Sequence, residues 1–224
     1  MSISKVIIVG AGPCGLLLAI MLARNGIQAT ILDKADRLDD SPRAAFYNTP
    51  AMVELKRAGL VPDIEAEAFY AKSACWRTMD NERLFGFPGS EQRKVQDPDR
   101  PKGAVLPLRD LLIIMKKHLD RQRNATLLFN HKATGLGQDD NKAWVEVENT
   151  TGQTTRMEAD YVIGCDGGNS IVRRSLFSDW DFPGFTWDKV LVATNVSRPS
   201  ECRIREPTLT KYPQRYTTIS TTKG

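Results

Sequence analysis

Three glycines and one carboxylate carry the first chemical signal in this chain. Val9-Gly10-Ala11-Gly12-Pro13-Cys14-Gly15 follows the apolar run Val6-Ile7-Ile8-Val9 and opens a helical pattern of Leu, Ala, Ile and Met from Leu16 to Arg24. Gly10 lets the chain turn sharply out of a strand. Gly12 lets backbone approach a pyrophosphate with no Cβ in the way, and Gly15 lets the new helix pack closely on the sheet. Pro13 lies inside the same turn and is grouped with these three as a binding position. Free N–H groups at the helix N-terminus, together with the positive end of its dipole, favour the phosphates.

The spacing alone is also that of an ordinary glycine turn, and the chain has 16 glycines. Its surroundings separate the two readings. Asn25-Gly26 stops the helix, and Gln28-Ala29-Thr30-Ile31-Leu32 reads as a second buried strand ending in Asp33. That completes a βαβ unit. A carboxylate at Asp33 can accept both hydroxyl protons of an adenosine ribose, which favours a free 2′-hydroxyl, as in FAD or NAD. The alternative for Asp33 is a solvated carboxylate at a strand end.

A second strand-to-helix turn lies in Ala159-Asp160-Tyr161-Val162-Ile163-Gly164-Cys165-Asp166-Gly167-Gly168-Asn169-Ser170-Ile171-Val172-Arg173-Arg174. A strand arrives at Asp166, glycines turn the chain, and a helix starts near Ser170. Asp166 can face a ligand at the mouth of this turn or cap the helix behind it, and the residues leave both open.

The elements between the two turns are legible in outline. Thr49 as N-cap, Pro50 at the first helical position and Gly59 past the end mark a helix. Phe69 to Phe87 alternates in part as strands do, Gly89 to Lys102 is a polar loop, and Leu111 to Leu119 is an apolar helix. Thr126 to Phe129, Ala143 to Val147 and Arg156 to Cys165 read as three strands. Gly135 to Lys142 and Asn149 to Gly152 read as turns between them.

Composition excludes several function classes. The net charge of +4 is carried entirely by residues 198–224, with six basic side chains against two acidic ones, so the remainder is balanced and offers no basic face for nucleic acid or a membrane surface. Cys14, Cys75, Cys165 and Cys202 form no C-x-x-C pair, and His118 and His131 form no cluster with them, so neither a zinc site nor a dithiol centre is expected. Gly10, Gly12 and Pro13 interrupt the apolar N-terminus where a spanning helix would have to be continuous. A cytoplasmic protein is the default expectation.

The two turns, together with Arg43 and Trp180-Asp181-Phe182-Pro183-Gly184-Phe185-Thr186-Trp187-Asp188, resemble those of the class A FAD-dependent aromatic hydroxylases, which include phenol, salicylate and para-hydroxybenzoate hydroxylases. The resemblance runs from about residue 4 to residue 196. It implies an α/β fold, with a Rossmann-like FAD-binding βαβ domain over residues 1–196 and the beginning of a mixed β substrate region around 69–105 and 185–196. It also implies that Gly10, Gly12 and Gly15 cradle the FAD pyrophosphate, that Asp33 holds the ribose, and that Arg43 approaches the dinucleotide, with Lys34 as a weaker candidate. Asp166 serves FAD binding and the productive use of NAD(P)H. The reaction implied is hydroxylation of a phenolic substrate by O₂ and NAD(P)H through a flavin C4a-hydroperoxide, with no side chain as nucleophile.

The chain departs from the family pattern in two places. Near Leu106-Pro107-Leu108-Arg109 the family often presents a glutamine or arginine to the cofactor; Leu108 cannot hydrogen-bond, which leaves Arg109 as a substitute. Beyond Val196 a Gly-Asp motif expected downstream has no match, so the C-terminal half of the family fold is expected to be absent. Residues 197–224, with six apolar side chains among 28, are expected to form a divergent, disordered tail. Two functions follow as expectations: a monooxygenase acting on phenols, or a non-catalytic FAD- or ADP-binding module that needs a partner. Oligomeric state is not legible.

Overall fold

The computed structural model describes residues 3–41, 43, 45–71, 73–78, 80, 82–88, 100–177, 185, 191–197 and 215–221. The chain divides into two compact units, Met1–Trp180 and Asp181–Gly224, whereas the sequence reading placed its boundary at residue 196.

Within the first unit the elements follow in the order β1 (Lys5–Val9), α1 (Pro13–Arg24), β2 (Gln28–Leu32), β3 (Phe46–Tyr47), α2 (Thr49–Arg57), α3 (Val61–Glu67), β4 (Ser73–Arg77) and β5 (Arg83–Pro88). Then come β6 (Ala104–Val105), α4 (Leu108–Leu119), β7 (Ala125–Leu128), β8 (Lys132–Gln138), β9 (Ala143–Glu148), β10 (Thr154–Ala159), β11 (Tyr161–Gly164) and α5 (Ile171–Leu176). A parallel sheet in the order β11-β1-β2-β7 forms the centre. The order reverses at β1, since the chain leaves it first toward β2 and returns much later to β11 on its other side.

Alternation along β1 builds three layers. Val6 and Ile8 face α1 and α4, packing with Leu16, Ala19, Ile20, Leu111, Leu112 and Met115. Ile7 and Val9 face the opposite way, onto Val145, Val147, Ala159 and Val172. The three-stranded antiparallel sheet β10-β9-β8 thus covers the face that the helices leave open. Both faces of a parallel strand are buried in this arrangement, which is why β1 reads as a continuous apolar run. Each of the buried Val, Leu, Ile and Met side chains among them contributes about 1.5–3 kcal/mol.

Several boundaries differ from the sequence reading, each for a local reason. The helix read from Thr49 is capped one residue earlier, because the Asn48 side chain accepts the Ala51 N–H at 3.1 Å. The first half of the turn expected over Gly135 to Lys142, through Gln138, is strand. Gly137 lies against the Trp144 ring, where a side chain would collide with it, and the reversal is confined to a turn in which Asp139 accepts the N–H groups of Asn141 and Lys142. The single strand read from Arg156 to Cys165 is two, one in each sheet. Its break is Asp160, whose Oδ2 accepts from the N–H groups of Ser4 and Lys5 at 2.8 and 2.9 Å and from the Ser4 hydroxyl at 2.8 Å. The short α3, β3 and β6 were not anticipated.

Within residues 69–105 lie the β4–β5 hairpin and β6; β6 pairs with β3, and its Val105 also bridges to Phe69, ahead of β4. Most of the expected polar loop, residues 89–99, lies outside the described residues, as do all of residues 180–188 except Phe185.

The second unit contains β12 (Leu191–Ser197) and β13 (Arg215–Thr221), paired antiparallel from Leu191↔Thr221 to Ser197↔Arg215. The tail read as disordered therefore contributes a strand at Arg215–Thr221. A count of apolar residues misses it, because Thr217, Thr218 and Thr221 are β-branched and favour a strand without adding much hydrophobicity. Residues 198–214 and 222–224 of that tail lie outside the described residues.

Candidate functional site

Both glycine turns open at the C-terminal ends of neighbouring parallel strands, β1 and β11, where the strand order reverses. Open α/β sheets bind ligands at such a point. The turns touch each other. Gly10 has φ +106°, and a Cβ there would overlap the Cys165 carbonyl and lie 2.9 Å from the Asp166 Cα. A Cβ on Gly15 would overlap the Gly10 carbonyl and lie 3.4 Å from the Cys165 Cβ. Gly10 and Gly15 are thus demanded by the fold itself, one for the turn and one for the packing of α1 upon it.

Gly12 differs from both. It has φ −70° and ψ 179°, which any residue adopts, and no atom of the described residues lies within 4 Å of a Cβ built on it. Nothing among the described residues requires glycine there, while the open space above it suits a phosphate group. Gly12 also caps α1 without any side-chain acceptor, and Pro13 occupies the first helical position, where its missing N–H costs nothing. The residues present therefore fit a pyrophosphate.

Asp33 lies beside this turn. Its Oδ2 accepts the Ala11 N–H at 2.7 Å and its Oδ1 the Ala35 N–H at 2.8 Å. The first contact ties the end of β2 to the middle of the glycine turn, a link that sequence spacing does not reveal. Lys34, next along the chain, is exposed. Arg43 is exposed too, with its guanidinium 2.9 Å from Asp39 and 3.2 Å from the Ser41 hydroxyl, so its bonds are to its own loop rather than to the turn. Arg109 is exposed in the first turn of α4.

Asp166 occupies the second turn, and its carboxylate points back into the chain. Oδ1 accepts the Ser170 hydroxyl at 2.6 Å, while Oδ2 accepts the N–H groups of Ile171 at 2.6 Å and Val172 at 3.3 Å. Ser170 in turn accepts the Arg173 N–H at 3.0 Å, and the Arg173 guanidinium donates to the Gly168 carbonyl at 2.8 Å. The helix cap is the role this geometry displays. Ser170, which the sequence marks only as the place where the helix starts, is the second half of that cap. Beyond Asp166 the space over Gly167 and Gly168 is open. Cys165 sits between the turns, where burial, with smaller contributions from Cys14 and Asp166, pushes its thiol up and keeps it protonated at neutral pH.

A parallel sheet with two glycine turns meeting at its switch point and open space over Gly12 has the layout of an α/β nucleotide-binding fold. More particularly, the chain belongs to the FAD binding domain family, whose model matches residues 4–217, and FAD is its cofactor. It is 33% identical over 196 residues to para-nitrophenol 4-monooxygenase of Pseudomonas sp. (strain WBC-3), covering 87% of this chain and 47% of that protein. It is 31% identical to 6-hydroxy-3-succinoylpyridine 3-monooxygenase of Pseudomonas putida (strain DSM 28022 / S16), with coverage of 85% and 48%. Among solved structures, p-nitrophenol 4-monooxygenase from Pseudomonas putida DLL-E4 matches with a TM-score of 0.78 at 31% identity, over 86% of this chain and 48% of that one. The chain spans about half the length of these relatives. Among the described residues no helix is long and apolar enough to cross a membrane, and no group of His, Cys, Asp and Glu could hold a metal ion.

Proposed function

We propose that the chain is the FAD-holding part of a flavin-dependent monooxygenase that hydroxylates a phenol-like ring with NAD(P)H and O₂. The observation that carries this reading is the open cradle over Gly12, in a chain 33% identical to a para-nitrophenol 4-monooxygenase. When bound, FAD supplies the electron transfer from NAD(P)H and the activation of oxygen. The protein's part is placement. The N–H groups at the start of α1 bind the pyrophosphate over Gly12 and Pro13, with Gly10 and Gly15 keeping the turn compact enough to do so. Asp33 accepts the ribose hydroxyls through the lone pairs its two backbone bonds leave free. Asp166 orders the second turn, so that the Gly167–Gly168 backbone forms the other wall of the mouth. Lys34, Arg43 and Arg109 are assigned to the cofactor on the family resemblance, as exposed cations able to meet its phosphates.

A second reading is favoured by the share of its relatives that the chain spans: a FAD-binding module whose catalysis needs further polypeptide. One experiment separates the two. Protein purified with bound FAD is supplied with NADH or NADPH and a panel of phenols, and both nicotinamide oxidation and hydroxylated product are followed. Phenol-stimulated oxidation with product supports the monooxygenase. Bound flavin with no stimulation by any phenol supports the module.

A further inference from the structure

We propose that Asp33 is a positioning residue for the pyrophosphate turn, in addition to any contact it makes with ribose. The inference rests on the reading that this turn holds the pyrophosphate of FAD. Ala11, between Gly10 and Gly12, is buried with 5% of its surface exposed. Its N–H donates to the Asp33 Oδ2 at 2.7 Å. On one side of this bond the Gly10 N–H donates to the Leu32 carbonyl at 2.7 Å, and on the other the Asp33 N–H donates to the Leu128 carbonyl at 2.9 Å. The carboxylate thus adds one rung to the β1–β2–β7 ladder at the place where β1 has already turned away. It fixes the peptide plane that leads into Gly12, the residue over which the space is open.

The second oxygen makes the role specific to a carboxylate. Oδ1 is engaged by the Ala35 N–H at 2.8 Å, so two backbone donors require two acceptor oxygens. An amide has only one acceptor oxygen, and Asp33→Asn must leave one N–H facing an NH₂ group. Losing the Ala11 bond leaves a buried donor without a partner and frees the turn to rotate before any ligand arrives.

The test uses two probes that differ only at the ribose, ADP and 2′,3′-dideoxy-ADP, titrated against the full chain and Asp33→Asn. A residue that serves ribose alone affects ADP and leaves the dideoxy nucleotide untouched. A positioning residue weakens both, and Asp33→Asn should bind dideoxy-ADP about tenfold less tightly, the scale of one lost charged hydrogen bond. Amide exchange at Ala11 in the ligand-free protein should accelerate to the same degree. Asp160→Asn, which removes another carboxylate from backbone donors, separates general softening from this effect and should leave dideoxy-ADP affinity unchanged. Equal dideoxy-ADP affinity in wild type and Asp33→Asn overturns the proposal, as does equal weakening by Asp160→Asn. If wild type binds neither nucleotide, the pyrophosphate reading fails instead, and unchanged exchange at Ala11 would then overturn the positioning role independently.

Discussion

The Asp166 carboxylate and the Ser170 hydroxyl lie 2.6 Å apart and together cap α5, Asp166 taking the N–H groups of Ile171 and Val172 while Ser170 takes that of Arg173. Between them they satisfy three of the donors that a helix start leaves unpaired. The two residues therefore act as one unit. Ser170→Ala should lower stability by about 0.5–2 kcal/mol, the usual cost of losing a cap, and should release one Asp166 oxygen. Urea unfolding measures the first effect. A variant as stable as wild type would show that the cap contributes nothing here.

The three fingerprint glycines should respond differently to substitution. Gly12→Val adds its side chain to open space at an ordinary backbone conformation, so stability should stay within about 0.5 kcal/mol of wild type while FAD binding is abolished. Gly10→Ala meets both a left-handed backbone and the Cys165 carbonyl, and should cost about 2 kcal/mol or more before any ligand is considered. Thermal unfolding and flavin titration of the two variants check this contrast. A Gly12→Val protein that retains FAD with unchanged affinity would remove the pyrophosphate from its assigned place.

Asp160 gives the protein a defined acid response. A hydrogen bond from Lys142 at 2.5 Å, and further ones from the Ser4 and Lys5 backbone and the Ser4 hydroxyl, hold its carboxyl well below the usual carboxylate range. A carboxylate lowered in the native state stabilises the fold above its unfolded pKa of about 3.9, and that stabilisation is lost as pH falls toward the native value. Asp160→Asn should therefore be less stable than wild type at pH 6, with the gap narrowing steadily below about pH 4. Urea midpoints across this range are the measurement, and a gap independent of pH would contradict it.

Tyr47 makes the opposite kind of prediction. Its hydroxyl is buried with no hydrogen-bond partner among the described residues, and burial, aided by the nearby Asp110 charge, pushes its pKa up to about 12. Deleting a buried polar atom that has no partner removes a desolvation cost and leaves no orphan behind. Tyr47→Phe should be neutral or more stable by about 1 kcal/mol. A loss larger than that in thermal unfolding would reveal a partner for the hydroxyl.

Much of this architecture is written locally and can be read from sequence. The βαβ unit was legible because a continuous apolar strand, a glycine turn and a helix stop all lie within about thirty residues and depend on near neighbours. The misread places depend on distant ones. Nothing around Gly137 announces that Trp144 will lie over it, so its glycine looks like a turn. Asp160 reads as one polar residue in a long strand until Ser4 and Lys5 are placed against it. The candidate site divides in the same way: the glycines and Asp33 are proposed from type and spacing, while the Ala11–Asp33 bond requires β2 to lie beside β1. Asp166 carried two roles in sequence, and only the position of Ser170 and the first N–H groups of α5 makes the cap visible.

Asp160 and Ser4 stand 156 residues apart in the chain, and their contact begins the pairing of β11 with β1. A ribosome releases β1, α1 and β2 early, so the first glycine turn can form while most of the unit is still being made. The second wall, at Cys165 and Asp166, reaches the nascent protein only after the helices and the antiparallel sheet have been synthesised. Contacts of such long sequence separation form late, because loop closure must precede them. Until then the Cys165 carbonyl is not yet placed against Gly10, and the first turn stands without the second. On the proposed reading of the site, its second wall is thus the last part made, and a chain stalled before Asp160 should bind ADP less tightly than the 224-residue chain.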